Sequence, residues 1–227
     1  MKKCRLWIVC IGVVLMLLCL CGALAEPAVI ASGDCGDQVT WTLDDQGLLT
    51  ISGTGVMTDY AAIARDGRMR APWYDYRTKI QTVTIESGVQ SVGAYAFRNC
   101  KNLVSITVPD SVTAVGENAF YACKNLAGIE LSAVESIGAS AFENCVGLLD
   151  VNLPAKMNTI DNRAFYGCAR LESVAMPDAL EYLGYTVFYG CSSLKAISVP
   201  EGIEGTGGAL FNGCTSLTEV SLPSSLR

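Results

Sequence analysis

Ala164-Phe-Tyr-Gly-Cys168-Ala-Arg-Leu171-Glu-Ser-Val174-Ala-Met-Pro177-Asp-Ala-Leu180-Glu-Tyr-Leu183-Gly184 decides the fold. Its apolar residues fall two or three apart and never form a sustained 3.6-residue stripe, which argues against long helices. The same pattern continues on both sides. Phe97, Phe120, Phe142, Phe165, Phe188 and Phe211 are spaced 23, 22, 23, 23 and 23 residues apart. Three residues after each comes a cysteine (Cys100, Cys123, Cys145, Cys168, Cys191, Cys214), and three later a leucine (Leu103, Leu126, Leu148, Leu171, Leu194, Leu217). A β-branched residue follows at 106, 129, 151, 174, 197 and 220. Six phase-locked copies with a period in the low twenties mark a solenoid, in which one short unit per coil stacks on the next.

Within a unit, segments such as Ile106-x-Val108 alternate and are β-branched, which reads as a short strand. Pro109, Pro154, Pro177, Pro200 and Pro223 close that strand, because proline has no N–H for a central ladder. Gly116, Gly138, Gly184 and Gly207 mark a second turn, where a positive φ is expected. Each coil therefore makes one or two short strands and a tight arc, with Leu, Ile, Val, Phe and Cys inward. Like residues should stack about 4.8 Å apart along the axis, the spacing of a parallel sheet. One cysteine per coil at a fixed phase reads as packing by a small apolar residue, with the ladder thiols reduced. The pattern reaches back to Ile80–Gly93, a coil without its Phe-Cys half; Trp73 and Tyr74 stand where Phe would be. Two copies are irregular. The coil between Phe120 and Phe142 lacks its Pro and one residue, and the one at Ile203 is loosened by Gly205, Thr206, Gly207 and Gly208.

The rest of the chain divides in two. Lys2, Lys3 and Arg5, the apolar run Leu6–Leu20 and Ala23-Leu24-Ala25 have the form of a signal peptide over 1–25, cleaved after Ala25. The run is shorter than the roughly 20 residues that span a bilayer. Leu precedes both Cys19 and Cys21, where a lipoprotein signal favours a small residue. No other stretch is long enough to cross a membrane, so no span is expected after cleavage. Residues 26–79 read as an amino-terminal β cap region. Val39, Trp41 and Leu43 alternate, Asp44-Asp45-Gln46-Gly47 turns, and Leu49 and Ile51 alternate again, which predicts a β-hairpin. Such a cap shields the first coil of the solenoid over 80–227. The chain stops within a coil at Leu226-Arg227. An open apolar end is therefore expected, leading to end-to-end self-association or continuing in a longer protein.

The unit at 164–184 resembles the leucine-rich repeat of the BspA-like surface antigens. Gly33-Asp-Cys-Gly-Asp-Gln-Val-Thr-Trp-Thr-Leu43, Leu49-Thr-Ile-Ser-Gly-Thr-Gly55 and Ala71-Pro-Trp-Tyr74 are similar to the region that opens many of these proteins. The resemblance covers about 33–227 and implies a mainly β leucine-rich repeat solenoid of about six 23-residue coils with an amino-terminal β-hairpin cap. It further implies a secreted or cell-surface protein of a host-associated bacterium, with adhesion to host matrix or to other cells. It carries over no catalytic residue.

Chemistry is sparse. The chain has no histidine, which removes Ser-His-Asp and Cys-His nucleophile pairs and His-based zinc sites. Cysteines one coil apart lie in a line, not on a tetrahedron, so no metal or cofactor is expected. Gly53-x-Gly55 lacks the further glycine and lysine of a phosphate-binding loop. Asp44 and Asp45 sit on a turn, where aspartate caps local N–H groups. Without Lys2, Lys3 and Arg5, 13 of the 16 basic residues face 22 acidic ones, a net charge of −9. That balance argues against nucleic acid as a partner.

Two stripes are candidates for contact with an extracellular protein or glycan. On the strand face, expected to be concave, Thr107, Glu130, Asp150, Asn152, Ser173 and Ser198 point outward between apolar neighbours; they are small, polar and non-aromatic. On the arc, the residue after each Phe reads Arg98, Tyr121, Glu143, Tyr166, Tyr189 and Asn212. Tyr121, Tyr166 and Tyr189 are the better anchors by type, or they simply cover the arc. The sequence supports two functions: a non-enzymatic binding protein or adhesin, and an architectural segment of a longer envelope protein.

Overall fold

The computed structural model describes residues 26–62, 69–205 and 208–226. The signal peptide expected over 1–25 lies outside them. The first four strands are β1 (Val29–Asp34), β2 (Val39–Asp44), β3 (Leu48–Gly53) and β4 (Gly55–Val56). A 3-10 turn at Tyr74–Tyr76 precedes the repeats, and no α-helix occurs among the described residues. The coils then contribute β5 (Thr82–Ile85), β6 (Val89–Val92), β7 (Ser105–Thr107), β8 (Ala114–Val115), β9 (Ser136–Ile137), β10 (Thr159–Ile160), β11 (Tyr182–Leu183), β12 (Ala196–Ser198) and β13 (Glu219–Ser221). The architecture is a mainly β solenoid with coils of about 23 residues.

Two parallel sheets run along it. One has the order β1-β2-β3-β5-β7, the other β11-β10-β9-β8-β6-β4. The hairpin at Asp44–Gly47 forms as its sequence requires. The Asp44 carboxylate accepts the N–H groups of Gln46 and Leu48 at 2.9 and 2.8 Å, and Gly47 takes a φ of +84°. Its second strand is not a separate lid. Leu49 pairs with Val83 and Ile51 with Ile85 in parallel register, so the cap extends the sheet of the coils. Val39, Trp41, Leu43, Leu49 and Ile51 face inward. The additional edge strand β1 is mostly exposed and lacks the alternation that marks β2 and β3.

After β7 the first sheet thins to single bridges, Glu130–Asn152 and Ser173–Ala196, before β12 and β13 pair. Gly128 occupies the strand position of the first thinned coil, and glycine weakens a strand.

The core is a column of rings. Trp73, Phe97, Phe120, Phe142, Phe165 and Phe188 are fully buried and stack in order, with centroids 5.1–5.8 Å apart. Trp73 heads the column and donates its indole N–H to the Ala96 carbonyl at 2.7 Å. Trp41 and Tyr60 pack edge-on against it, so aromatic contact runs from the hairpin into the repeats. At the other end Phe211 is only half-buried, and Val220 and Leu222 are exposed.

The turns depart from the expectation in one respect. Gly116, Gly138 and Gly184 do not have positive φ; Gly207 lies outside the described residues. Those glycines admit a neighbouring backbone instead. A Cβ on Gly116 would stand 2.5 Å from the Ala94 nitrogen, and one on Gly184 2.3 Å from that of Asn162. Left-handed residues occur two before and two after each Phe of the repeats: Asn118 and Ala122, Ser140 and Asn144, Arg163 and Gly167 are examples. They surround an Ala-Phe-x triplet, and alternate N–H groups there reach the next coil. Asn118, Phe120 and Ala122 donate to the carbonyls of Ala139, Ala141 and Glu143 at 2.7–2.9 Å.

The cysteines have a second task besides filling space. The Cys123, Cys145, Cys168 and Cys191 thiols each donate to the carbonyl of the Phe in the preceding coil, at 3.0–3.2 Å. That carbonyl also accepts the N–H of its own coil's cysteine, so the thiol supplies the second partner of a buried oxygen. All seven cysteines of the described residues are free. Burial pushes the Cys100 and Cys145 thiols up to about 12 and those of Cys123 and Cys168 well above the ordinary value.

Two outcomes follow. Phe165→Ala should cost about 3–5 kcal/mol in denaturant unfolding, the usual loss for a buried ring. Tyr166→Ala beside it should cost much less; equal losses would contradict the inward and outward assignment. Iodoacetamide applied to the folded protein at about pH 8 should label Cys214 first, because a buried, protonated thiol is inert. Mass spectrometry that finds Cys145 or Cys168 labelled as fast would disprove the packing.

Candidate functional site

The two stripes differ in construction. On the strand face Thr107, Glu130, Asp150, Asn152, Ser173 and Ser198 are all exposed. Few of them interact. Asn152 donates to Glu130 at 3.4 Å, and a shallow hollow opens between Ser198, Glu219 and Ser221. The strand residues stand out because their apolar neighbours Ile106, Ile129, Val151, Val174 and Ile197 are buried. What remains is a polar face without an aromatic ring.

The arc stripe is organised by contacts between coils. Arg98 lies over the Tyr121 ring with its guanidinium carbon 4.7 Å from the centroid, and Arg163 over Tyr166 at 4.2 Å. Tyr166 and Tyr189 stack in parallel at 4.7 Å. All three tyrosines are half-buried, so they stand as fixed rings and not as free side chains.

Glu143 is not an outward member of this stripe. It is 6 % exposed and accepts a bidentate pair from Arg163, Nε to Oε2 at 2.9 Å and Nη2 to Oε1 at 2.8 Å. The Ser140 hydroxyl adds a third bond at 2.7 Å. Burial alone would raise this carboxyl, but bonds from Arg163 and Ser140 and the charges of Arg163 and Arg98 hold it below the ordinary range. The phase after Phe suggested an exposed side chain; the left-handed residue Arg163, one coil on, covers it instead. No signal in a single coil could have shown this, since the partners are 20 residues apart.

Beside Tyr121 lies a hollow of about 290 Å³ lined by Asn99, Lys101, Lys124, Asn144 and Val146 as well. Lys101 and Lys124 were not among the residues singled out from the sequence. No group of three metal-ligating side chains comes together among the described residues.

The repeat is a recognised one. Six copies of the BspA type leucine rich repeat match residues 73–145 and 124–227. The chain belongs to the BspA-type leucine-rich repeat family. Among solved structures it is similar to a leucine-rich repeat protein from Bacteroides ovatus, at 27 % identity and a TM-score of 0.66 over 86 % of this chain and 54 % of that one. The chain thus spans about half the length of that relative. It is also similar to a leucine-rich repeat protein of T. pallidum, at 27 % identity and a TM-score of 0.59, covering 82 % of this chain and 90 % of that one. No curated protein matches the chain.

The Glu143 pair makes a pH test. A carboxyl held low in the folded state stabilises the fold above its unfolded pKa of about 4.3, and that contribution fades as pH falls through the lower folded value. Glu143→Gln should therefore be less stable than the parent at neutral pH, and the gap should shrink below about pH 4. Urea unfolding at stepped pH measures it; a gap independent of pH would show that the ion pair contributes nothing.

Proposed function

We propose that this BspA-type repeat protein is an exported, non-catalytic binding protein that acts at or outside the bacterial cell surface, with a protein or glycan as partner. The observation that carries this reading is the arc stripe. Rigid tyrosines and arginines are the anchor residues that contact surfaces favour, and here the fold holds them in a row along several coils. Rings already fixed against Arg98, Arg163 and one another lose little freedom on binding. The start of the sequence, with its basic residues, apolar run and Ala23-Leu24-Ala25, supports export. The absence of histidine from the chain fits a scaffold better than an acid–base catalyst.

Contacts spread over several coils should make single substitutions mild. Tyr121, Tyr166 and Tyr189 changed together to Ala should abolish retention on immobilised matrix proteins and glycan arrays. Glu130, Asp150 and Asn152 changed together should leave it nearly intact. The reverse result would move the contact to the strand face. A purified protein that binds nothing across such a screen would favour the architectural role.

A further inference from the structure

Ion pairs in this solenoid follow a rule. Lys156 meets Glu135 at 3.3 Å, Arg163 meets Glu143 at 2.8 Å and Lys195 meets Glu172 at 2.5 Å. Each pair joins a cation to an acid of the preceding coil, 20 to 23 residues back. Stacking at coil spacing makes this necessary, because like charges directly opposite one another in neighbouring strands are destabilising.

One region breaks the rule. Lys101 and Lys124 occupy the same phase of successive coils, border the same hollow, and have no ion-pair partner among the described residues. Arg98 lies between them in the chain's stacking order, over Tyr121, and its buried Nε has no hydrogen-bond partner. The run continues toward the amino-terminal side. Arg77 stands at the phase of Lys101 one coil earlier, and Arg70 and Arg77 both lie over the Tyr74 ring at 4.6 and 4.2 Å. The acids on this stretch are Asp75 and Glu143, and Arg163 already neutralises Glu143. Uncompensated cations thus line up along the axis of a protein whose net charge is −6.

We infer that this stripe binds a linear anionic polysaccharide, with Lys101 and Lys124 holding its carboxylate or sulfate groups. The inference rests on the binding role proposed above and names the partner for the same arc. The hollow is at the small end of ligand sites, so it accepts one residue of a chain and not a folded domain. Asn99 and Asn144 supply amides that both donate and accept, the pairing that sugar hydroxyls need. The coil repeat presents cations at regular steps, which suits a polymer with regularly spaced charges. Single-stranded nucleic acid is the weaker fit. Its bases need open ring faces on which to stack, and here arginines already cover a face of Tyr74, Tyr121 and Tyr166.

Calorimetry of the purified full chain with heparin, hyaluronan, neutral dextran and poly-glutamate tests this. Heparin or hyaluronan should bind, weakening as salt rises, while dextran should not. Heparin alone would assign sulfate, and hyaluronan binding would assign carboxylate. Lys101→Gln with Lys124→Gln should weaken binding roughly tenfold, as for two partly exposed charge contacts. The paired, exposed cations provide a control: Lys156→Gln with Lys195→Gln should change it less than about twofold. Equal loss in both variants, no binding of either polysaccharide, or poly-glutamate or oligonucleotide binding as tight as heparin would overturn the inference. If the lysine variant still binds a protein ligand found in the screen above, the polysaccharide reading fails alone. Loss of every ligand by the parent protein removes both.

Discussion

Every coil must send hydrogen bonds along the solenoid axis while its own backbone turns, and the arc is where the two demands conflict. A uniformly extended segment points successive N–H groups in opposite directions. Placing a left-handed residue two positions before and two after each Phe lets alternate N–H groups, such as those of Asn118, Phe120 and Ala122, face the next coil together. Left-handed backbone costs a residue with a Cβ roughly 1–2 kcal/mol, and the β-branched Thr186 occupies one such position. Burial of the Phe between them and the axial bonds offset that cost. The Phe column, the cysteine thiols on the Phe carbonyls and the placement of Arg163 all descend from this one turn.

The parts of the fold that are periodic in sequence could be read from it. The Phe phase, the inward cysteines, the short strand before each proline and the 39–51 hairpin are each set by local pattern. Trp73 could be recognised as the head of the ring column because it replaces Phe one coil early. The left-handed positions could not. Tyr95, Asn118, Ser140, Arg163, Thr186 and Ala209 share a backbone conformation and no chemistry, so tertiary hydrogen bonding overrides residue preference there. The glycines at 116, 138 and 184 gave the opposite error. Their regularity suggested a turn conformation, whereas the closeness of adjacent coils is what excludes a Cβ.

The candidate surfaces show the same division. The outward residues of the strand face follow from alternation alone, since a strand places neighbours on opposite sides. The arc stripe depends on contacts between residues about 20 apart. Glu143 and Tyr166 hold equivalent phases, yet Glu143 is buried under Arg163 and Tyr166 is half-exposed beneath the same guanidinium. A single arginine thus neutralises one member of the column and braces the next. Reading a stripe residue by residue misses such couplings, because in a stacked repeat the chemistry belongs to the column.

Net acidity and a basic stripe are compatible because they act at different ranges. At physiological salt, charges more than about 8 Å apart are largely screened, so the overall negative charge governs solubility more than contact. Within the arc, Arg98, Lys101 and Lys124 lie one coil apart and act on a ligand directly. A repeat fold produces such a patch with few changes, since any residue placed at one phase meets its equivalent in the neighbouring coil. Paired opposite charges at a phase give a quiet surface, as at Lys195 and Glu172; repeated like charges leave a demand that a ligand can satisfy. The scaffold therefore separates its two tasks by phase, with the inward columns holding the coils together and a single outward column left to discriminate.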